Sequence, residues 1–417
     1  MTNVEIERFR QWNLPSWLGA SIVSALLTTP AFAQTDAERI NELEHKLDAV
    51  EQQVSQMTAG MARHSNSGEG LPMHGFMDVG FATNSSSNLA ANPKGFYLGA
   101  LSFYLAPHFG DQVKALVEPN FEVAQDGTIA IDLERLQIGY TYSDAMTVWG
   151  GRFHTPYGYW NTGFHHGAQM QTSVLRPRFL DFEDKGGILP AHMVGLWGTG
   201  KIKAGSGKLV YDVYGGNGPR ILGVDLTTVP VTTGTSDMSM RGDDDHQAMV
   251  GFNVAYEFSG NLDGLRLAVH GIKGDVSAYN ATGLNQNTTE LNMLGGSIVY
   301  LANDWEALSE YYGFNNKDKS GSTGTHSSWA GYLQVGKNFN NLTPYARFEK
   351  TTLDQSDNYF SMQTSGQTYD RQSLGLRYDL NPKAALKFEL VNSDLALEPG
   401  RVASSFRSLY TQYAVGF

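Results

Sequence analysis

The sequence predicts an all-β fold, a 16-stranded antiparallel transmembrane β-barrel with a short N-terminal α-helical coiled coil. Three observations carry that prediction. Polar and apolar residues alternate with period two from Met73 to Phe417, the connections alternate between short and long, and a charged heptad stretch precedes them.

The first 33 residues read as an export signal. A polar opening leads to the apolar run Leu18–Leu27, and Ala31-Phe-Ala33 places small residues where a signal peptidase reads them. The run is too short to cross a bilayer as a helix, and no later stretch is apolar enough to do so. Cleavage is expected after Ala33. The chain has 417 residues, no cysteine and a net charge of −12. The absence of thiols excludes a disulfide framework, a lipid-modified N-terminus and haem attached through C-x-x-C-H.

Residues 34–63 predict the coiled coil, placed in the periplasm. Ile40, Leu43, Leu47, Val50, Val54 and Met57, with Met61, follow the 3-4 spacing of a heptad seam, and Glu42, Glu44, Lys46, Asp48 and Glu51 keep the other faces wet. A helix of this length needs a partner surface. Self-association supplies one, and packing of a single amphipathic helix against its own barrel is the alternative. The mixed a positions do not decide between two and three strands. Residues 64–72 (HSNSGEGLP) form a linker.

Residues 73–417 predict the barrel. Alternation is clearest at Ala248–Phe258, Leu374–Leu380 and Ala384–Leu390. One strand face then meets an apolar medium and the other a polar one. Turn signals divide the region into sixteen strands, at 73–84, 96–107, 109–123, 129–142, 145–155, 192–203, 208–216, 245–258, 264–275, 289–302, 304–315, 327–339, 342–353, 367–380, 383–393 and 405–417. Short links such as Ala302-Asn-Asp and Asn381-Pro-Lys alternate with long ones at 85–95, 156–191, 217–244, 276–288, 316–326, 354–366 and 394–404. Short turns on one rim and long loops on the other mark an outer-membrane barrel. Tyr97, Phe103, Tyr140, Tyr142, Trp149, Trp197, Trp305, Tyr311 and Tyr413 lie near strand ends, where interfacial girdles sit.

Parity assigns Arg135, Arg152, Arg266, Arg347, Arg371 and Arg377 to the lumen, because an arginine facing lipid at mid-depth costs about 2–4 kcal/mol. A row of guanidinium groups in a narrow pore would favour anions. Pairing with neighbours, as between Arg347 and Glu349, is the competing account. The longest loop, about 156–191, follows the fifth strand and carries Arg176, Arg178, Asp181, Glu183, Asp184 and Lys185. His165 and His166 in this loop lack a third ligand at metal spacing. No nucleotide loop, zincin helix or G-x-S-x-G motif occurs, so no catalytic residue, metal or cofactor is expected, and no nucleic-acid partner.

The final segment, Leu409–Phe417, alternates and stops on phenylalanine; it resembles the last strand of bacterial outer-membrane barrels, where that aromatic is read by the barrel assembly machinery. The stretch Trp149-Gly-Gly-Arg152-Phe-His-Thr-Pro156-Tyr-Gly158 resembles the strand-then-turn motif of the phosphate-selective porins, and the whole plan is similar to 16-stranded porins with an N-terminal coiled coil, the DcaP-like porins among them. That resemblance implies an outer-membrane homotrimer with one pore per subunit, a loop after the fifth strand that folds into the barrel, and a preference for anionic solutes. Outer-membrane lipid and lipopolysaccharide would surround it. The few lumenal lysines and the acidic net charge depart from the phosphate-selective pattern. Passive diffusion of small hydrophilic solutes is thus the expected function. A barrel that sheathes a partner, such as an electron-transfer cytochrome, is the alternative.

Overall fold

The structure, a computed structural model, describes residues 73–85, 94–123, 127–164, 167–238 and 247–417. The expected signal segment 1–33, coiled coil 34–63, linker 64–72 and the His165-His166 pair lie outside the described residues.

Sixteen strands form one closed ring, as the alternation predicts. They are β1 Met73–Asn84, β2 Gly95–Leu105, β3 Val113–Val123, β4 Ile129–Ser143, β5 Met146–His154, β6 His192–Ala204, β7 Gly207–Asn217 and β8 Met249–Glu257. They continue with β9 Leu265–Tyr279, β10 Asn285–Ala302, β11 Trp305–Asp318, β12 Thr325–Lys337, β13 Leu342–Thr352, β14 Tyr369–Asn381, β15 Ala384–Leu395 and β16 Ser404–Gly416. Each pairs antiparallel with its sequence neighbours, and β16 pairs with β1 from Phe76↔Gly416 to Asn84↔Ser408. Closure leaves no barrel edge unpaired, the condition for a sheet in lipid. Phe417 completes the seam: its backbone exchanges hydrogen bonds with Gly75 at 3.0 and 3.1 Å, and its ring packs against Phe103.

The rims differ as expected. Tight turns at 144–145, 205–206, 303–304 and 382–383 close one end. Asn303 and Asp304 both adopt positive φ (52° and 61°), the conformation a two-residue hairpin needs to match strand twist. The other rim carries 155–191, a loop after β7 that contains a hairpin (Pro219–Leu222 with Thr235–Met238), and 353–368. One expected loop is much shorter. Residues 276–288 were expected as a link, yet β9 and β10 pair from Leu265↔Tyr300 up to Tyr279↔Asn285. The polar run Asn285–Thr289 hides this strand end, because it lacks the alternating apolar residues that mark the rest of the strand.

Outward residues such as Leu136, Ile138, Val269, Leu294, Leu374 and Leu390 are exposed and form the apolar belt. Tyr140 and Tyr142 contact each other at 4.6 Å on this surface, with Trp305 and Tyr413 also outward, so part of the girdle stands. Trp149 and Trp197 do not belong to it. They stack on each other at 6.3 Å, and Trp197 Nε1 donates to Asp212 in the lumen at 3.0 Å. Phe153, of the same parity, is fully buried with its ring 5.7 Å from that of Trp197, so Trp149 and Phe153 both face inward on β5. Tyr97 also packs inward, against Val174 and Tyr410.

Candidate functional site: a loop folded into the lumen

Burying a loop inside a barrel requires a partner for each of its backbone polar groups. The segment between β5 and β6 meets that demand from the wall. At its stem, Thr155 N–H donates to the Ala191 carbonyl at 2.9 Å, and Asn161 Nδ2 donates to the carbonyls of both residues. A short helix, α1 (Trp160–Gly163), follows.

Carboxylates on three strands then receive the loop's N–H groups. Glu310 on β11 accepts from Tyr159 and Trp160, each at 2.8 Å, and from the hydroxyls of Tyr312 and Tyr332, each at 2.7 Å. Glu389 on β15 accepts from Val174 at 2.7 Å, Leu175 at 2.9 Å and the Tyr345 hydroxyl at 2.9 Å. Glu349 on β13 accepts from Arg178 N–H at 2.7 Å and the Tyr369 hydroxyl at 3.1 Å. Cations on β13, β14 and β15 take the loop's carbonyls. Arg347 donates to Leu175 O at 2.8 Å and Arg176 O at 3.3 Å, and Arg377 to Gln169 O at 2.6 Å and Gln171 O at 2.9 Å. Lys387 donates to Ala168 O and Ser173 O.

Apolar packing reinforces this polar clamp. Tyr157, Trp160, Phe179, Leu180, Ile188 and Leu189 of the loop are almost fully buried with Met193, Leu308, Tyr312, Phe314 and Tyr332 of the wall. The lumenal face of β11 therefore reads Leu308, Glu310, Tyr312, Phe314, an apolar series around one carboxylate. At Gly158 the chain approaches this face so closely that a Cβ would stand 1.9 Å from Glu310 Oε2 and 2.2 Å from the Tyr312 hydroxyl.

The six arginines named from parity are each brought against a carboxylate. Arg347 has no exposed surface and bridges Glu349 at 2.8 Å and Glu389 at 3.2 Å. Arg371 stands 3.8 Å from Glu349, and Arg377 is 2.7 Å from Asp379. Arg135 meets Glu118 at 2.5 Å, Arg152 approaches Asp132 at 3.8 Å, and Arg266 approaches Glu257 at 3.9 Å while lying over the Tyr159 ring. No unbroken cationic row results.

Within the loop, Arg176 donates to Leu180 O at 2.9 Å and covers the Phe182 ring at 4.1 Å. The Arg178 guanidinium lies over Tyr369. Asp181 accepts from Phe182 N–H at 3.1 Å. Glu183 accepts from His192 N–H at 2.8 Å and faces its Nδ1 at 3.2 Å, while His192 Nε2 meets Glu134 at 2.6 Å. Lys185 reaches Glu122 of β3 at 2.5 Å, so the loop spans from β11–β15 towards β3. The side chain of Asp184 lies outside the described residues.

A second loop, 353–368, expected from the sequence as a long link at 354–366, also folds inward. Its helix α2 (Asn358–Ser361) is capped by Asp357, which accepts from Tyr359 N–H and Asn316 Nδ2, each at 2.9 Å. The Tyr359 hydroxyl donates to Ile188 O at 2.5 Å, tying the two loops together. Arg401 then donates to four carbonyls of this loop, those of Phe360, Ser361, Gln363 and Thr364. Burial pushes the Asp357 carboxyl up to about 6.

No family model and no curated protein matches the chain. Solved structures do. The anion-selective porin from Comamonas acidovorans aligns with a TM-score of 0.54 at 11% identity, over 83% of this chain and 99% of that one. The outer membrane channel DcaP of Acinetobacter baumannii (0.50, 11%, 83% and 96%) and the trimer form of the in-vitro folded outer membrane protein OmpT of Vibrio cholerae (0.50, 10%, 83% and 98%) align similarly. At such low identity the likeness is one of fold: this chain has the closed 16-stranded barrel of the outer-membrane porins.

Proposed function

We propose that this chain is an outer-membrane channel for passive diffusion of small hydrophilic solutes, with residues 155–191 forming its constriction. The observation that supports this reading is a closed barrel whose lumen is narrowed, rather than left open, by a loop tied to the wall at Glu310, Glu349 and Glu389. A sheath for a cytochrome needs an unobstructed lumen, so the inward loop speaks against that alternative.

The finer expectations belong to the same proposal. The six arginines are each charge-matched, which points to at most a weak anion preference. Gly158, in the stretch that resembles the phosphate-selective motif, already has a steric reason to be glycine, so that motif adds little for phosphate. The channel is proposed to be a homotrimer held in part by the seam from Ile40 to Met57. It would be exported by the 1–33 signal, recognised through Phe417 and embedded among outer-membrane lipid and lipopolysaccharide.

The test is planar-bilayer recording of the purified protein in a salt gradient. Conductance closing in threes supports the trimeric channel, and the reversal potential reads the selectivity. Absence of any conductance would remove the diffusion reading.

A further inference from the structure

The wall groups that contact the loop carry both signs of charge, yet they do the same job. Carboxylates of Glu310, Glu349 and Glu389 take backbone N–H groups, while Arg347, Arg377 and Lys387 take backbone carbonyls. Hydrogen bonds with one ionised partner are stronger and more directional than neutral ones. Arg347 sits at the centre: it bonds Glu349, Glu389, Gln334 and two loop carbonyls, and it has no solvent-exposed surface. A guanidinium with all its donors so engaged has no free face for a passing anion.

Resting on the channel reading, we propose that Glu310, Glu349, Glu389 and Arg347 are positioning residues that lock the constriction loop at a fixed place in the lumen. The buried arginines act on the loop and not on the solute. In a fully satisfied buried network, removing either partner strands the other. Neutralising a carboxylate or the guanidinium then has the same functional sign, which a charge-selectivity role forbids.

The experiment compares Glu389→Gln and Arg347→Gln with the parent protein in planar bilayers under a KCl gradient, together with trypsin digestion of the folded barrel. Both variants are expected to show rapid current flicker, reversal potentials that shift in the same direction or not at all, and at least tenfold faster cleavage after Arg178. That bond is shielded in the parent by Glu349 and Tyr369. Opposite shifts of reversal potential with parental resistance to trypsin would overturn the lock and restore a selectivity role.

Should either charged variant fail to assemble, Tyr345→Phe and Tyr369→Phe each remove a hydroxyl that donates to a wall carboxylate and accepts from a loop N–H, without changing charge. They are expected to flicker and to be cleaved at intermediate rates; behaviour identical to the parent overturns the proposal. A parent protein that conducts no current sinks the channel reading, while trypsin resistance still tests the lock by itself.

Discussion

Replacing Gly158 with alanine tests the closest approach of loop to wall. The residue has a φ of 61°, and an added Cβ would lie 1.9 Å from Glu310 Oε2. Left-handed backbone alone costs alanine about 1–2 kcal/mol. The larger effect comes from Glu310, which must withdraw and release Tyr159 and Trp160 N–H groups now held at 2.8 Å. Hydrogen bonds to a charged group contribute about 1.5–3 kcal/mol each, so the total loss is about 4–8 kcal/mol. Gly283 supplies the control: its φ is 80°, but nothing lies within 4 Å of its Cβ position. Gly283→Ala should therefore cost only about 1–2 kcal/mol. Equilibrium urea unfolding in detergent micelles, followed by tryptophan fluorescence, measures both. If the two variants unfold within about 1 kcal/mol of each other, the tight Gly158–Glu310 contact is not what holds the loop.

Three further outcomes follow from the geometry. Lys387→Met leaves the carbonyls of Ala168 and Ser173 without their donor and should destabilise the folded barrel by about 2–4 kcal/mol in the same urea assay. Lys185→Gln removes a half-exposed bridge to Glu122; the stability change should stay below about 1 kcal/mol, while the reversal potential moves towards cations. The Asp357 carboxyl, raised to about 6 by burial, binds its proton more tightly in the folded loop than in an unfolded chain. Its contribution to holding 353–368 in place is complete below the ordinary aspartate value and is lost as pH rises through about 6. Protease protection of that loop should fall across this window, and Asp357→Asn should flatten the profile.

Most of the barrel was legible because strand alternation in a membrane has a direct physical cause, namely lipid on one face and a polar lumen on the other. Even boundaries such as Met73–Asn84 and Leu342–Thr352 agree with the turn signals. The alternation failed where the lumen is not polar. Leu308, Tyr312 and Phe314 face inward because a loop covers them, so Glu310 stands among apolar residues and gives no sign of its role. Lys387 and Glu389 were visible as inward charges, but the partners they hold lie more than two hundred residues earlier in the chain. The arginines were read as inward with pairing to neighbours as the competing account, and the carboxylates they meet lie mostly on other strands, which no local pattern gives. Loop 353–368 gave no signal beyond its length, since its burial depends on contacts with Ile188 and Arg401.

The packing of the long loop against one side also has a mechanical meaning. Along β6–β12 the wall is a laminate, a sheet glued to an inner apolar layer through Met193, Leu308, Tyr312 and Tyr332. Around β2–β4 the described residues contribute no member of that layer. A laminate resists bending far more than a single ply, as close-packed interiors have low compressibility. Lateral pressure from the bilayer would then be absorbed by the thin arc of the ring, and any flexing of the aperture would come from the side opposite the bonded layer.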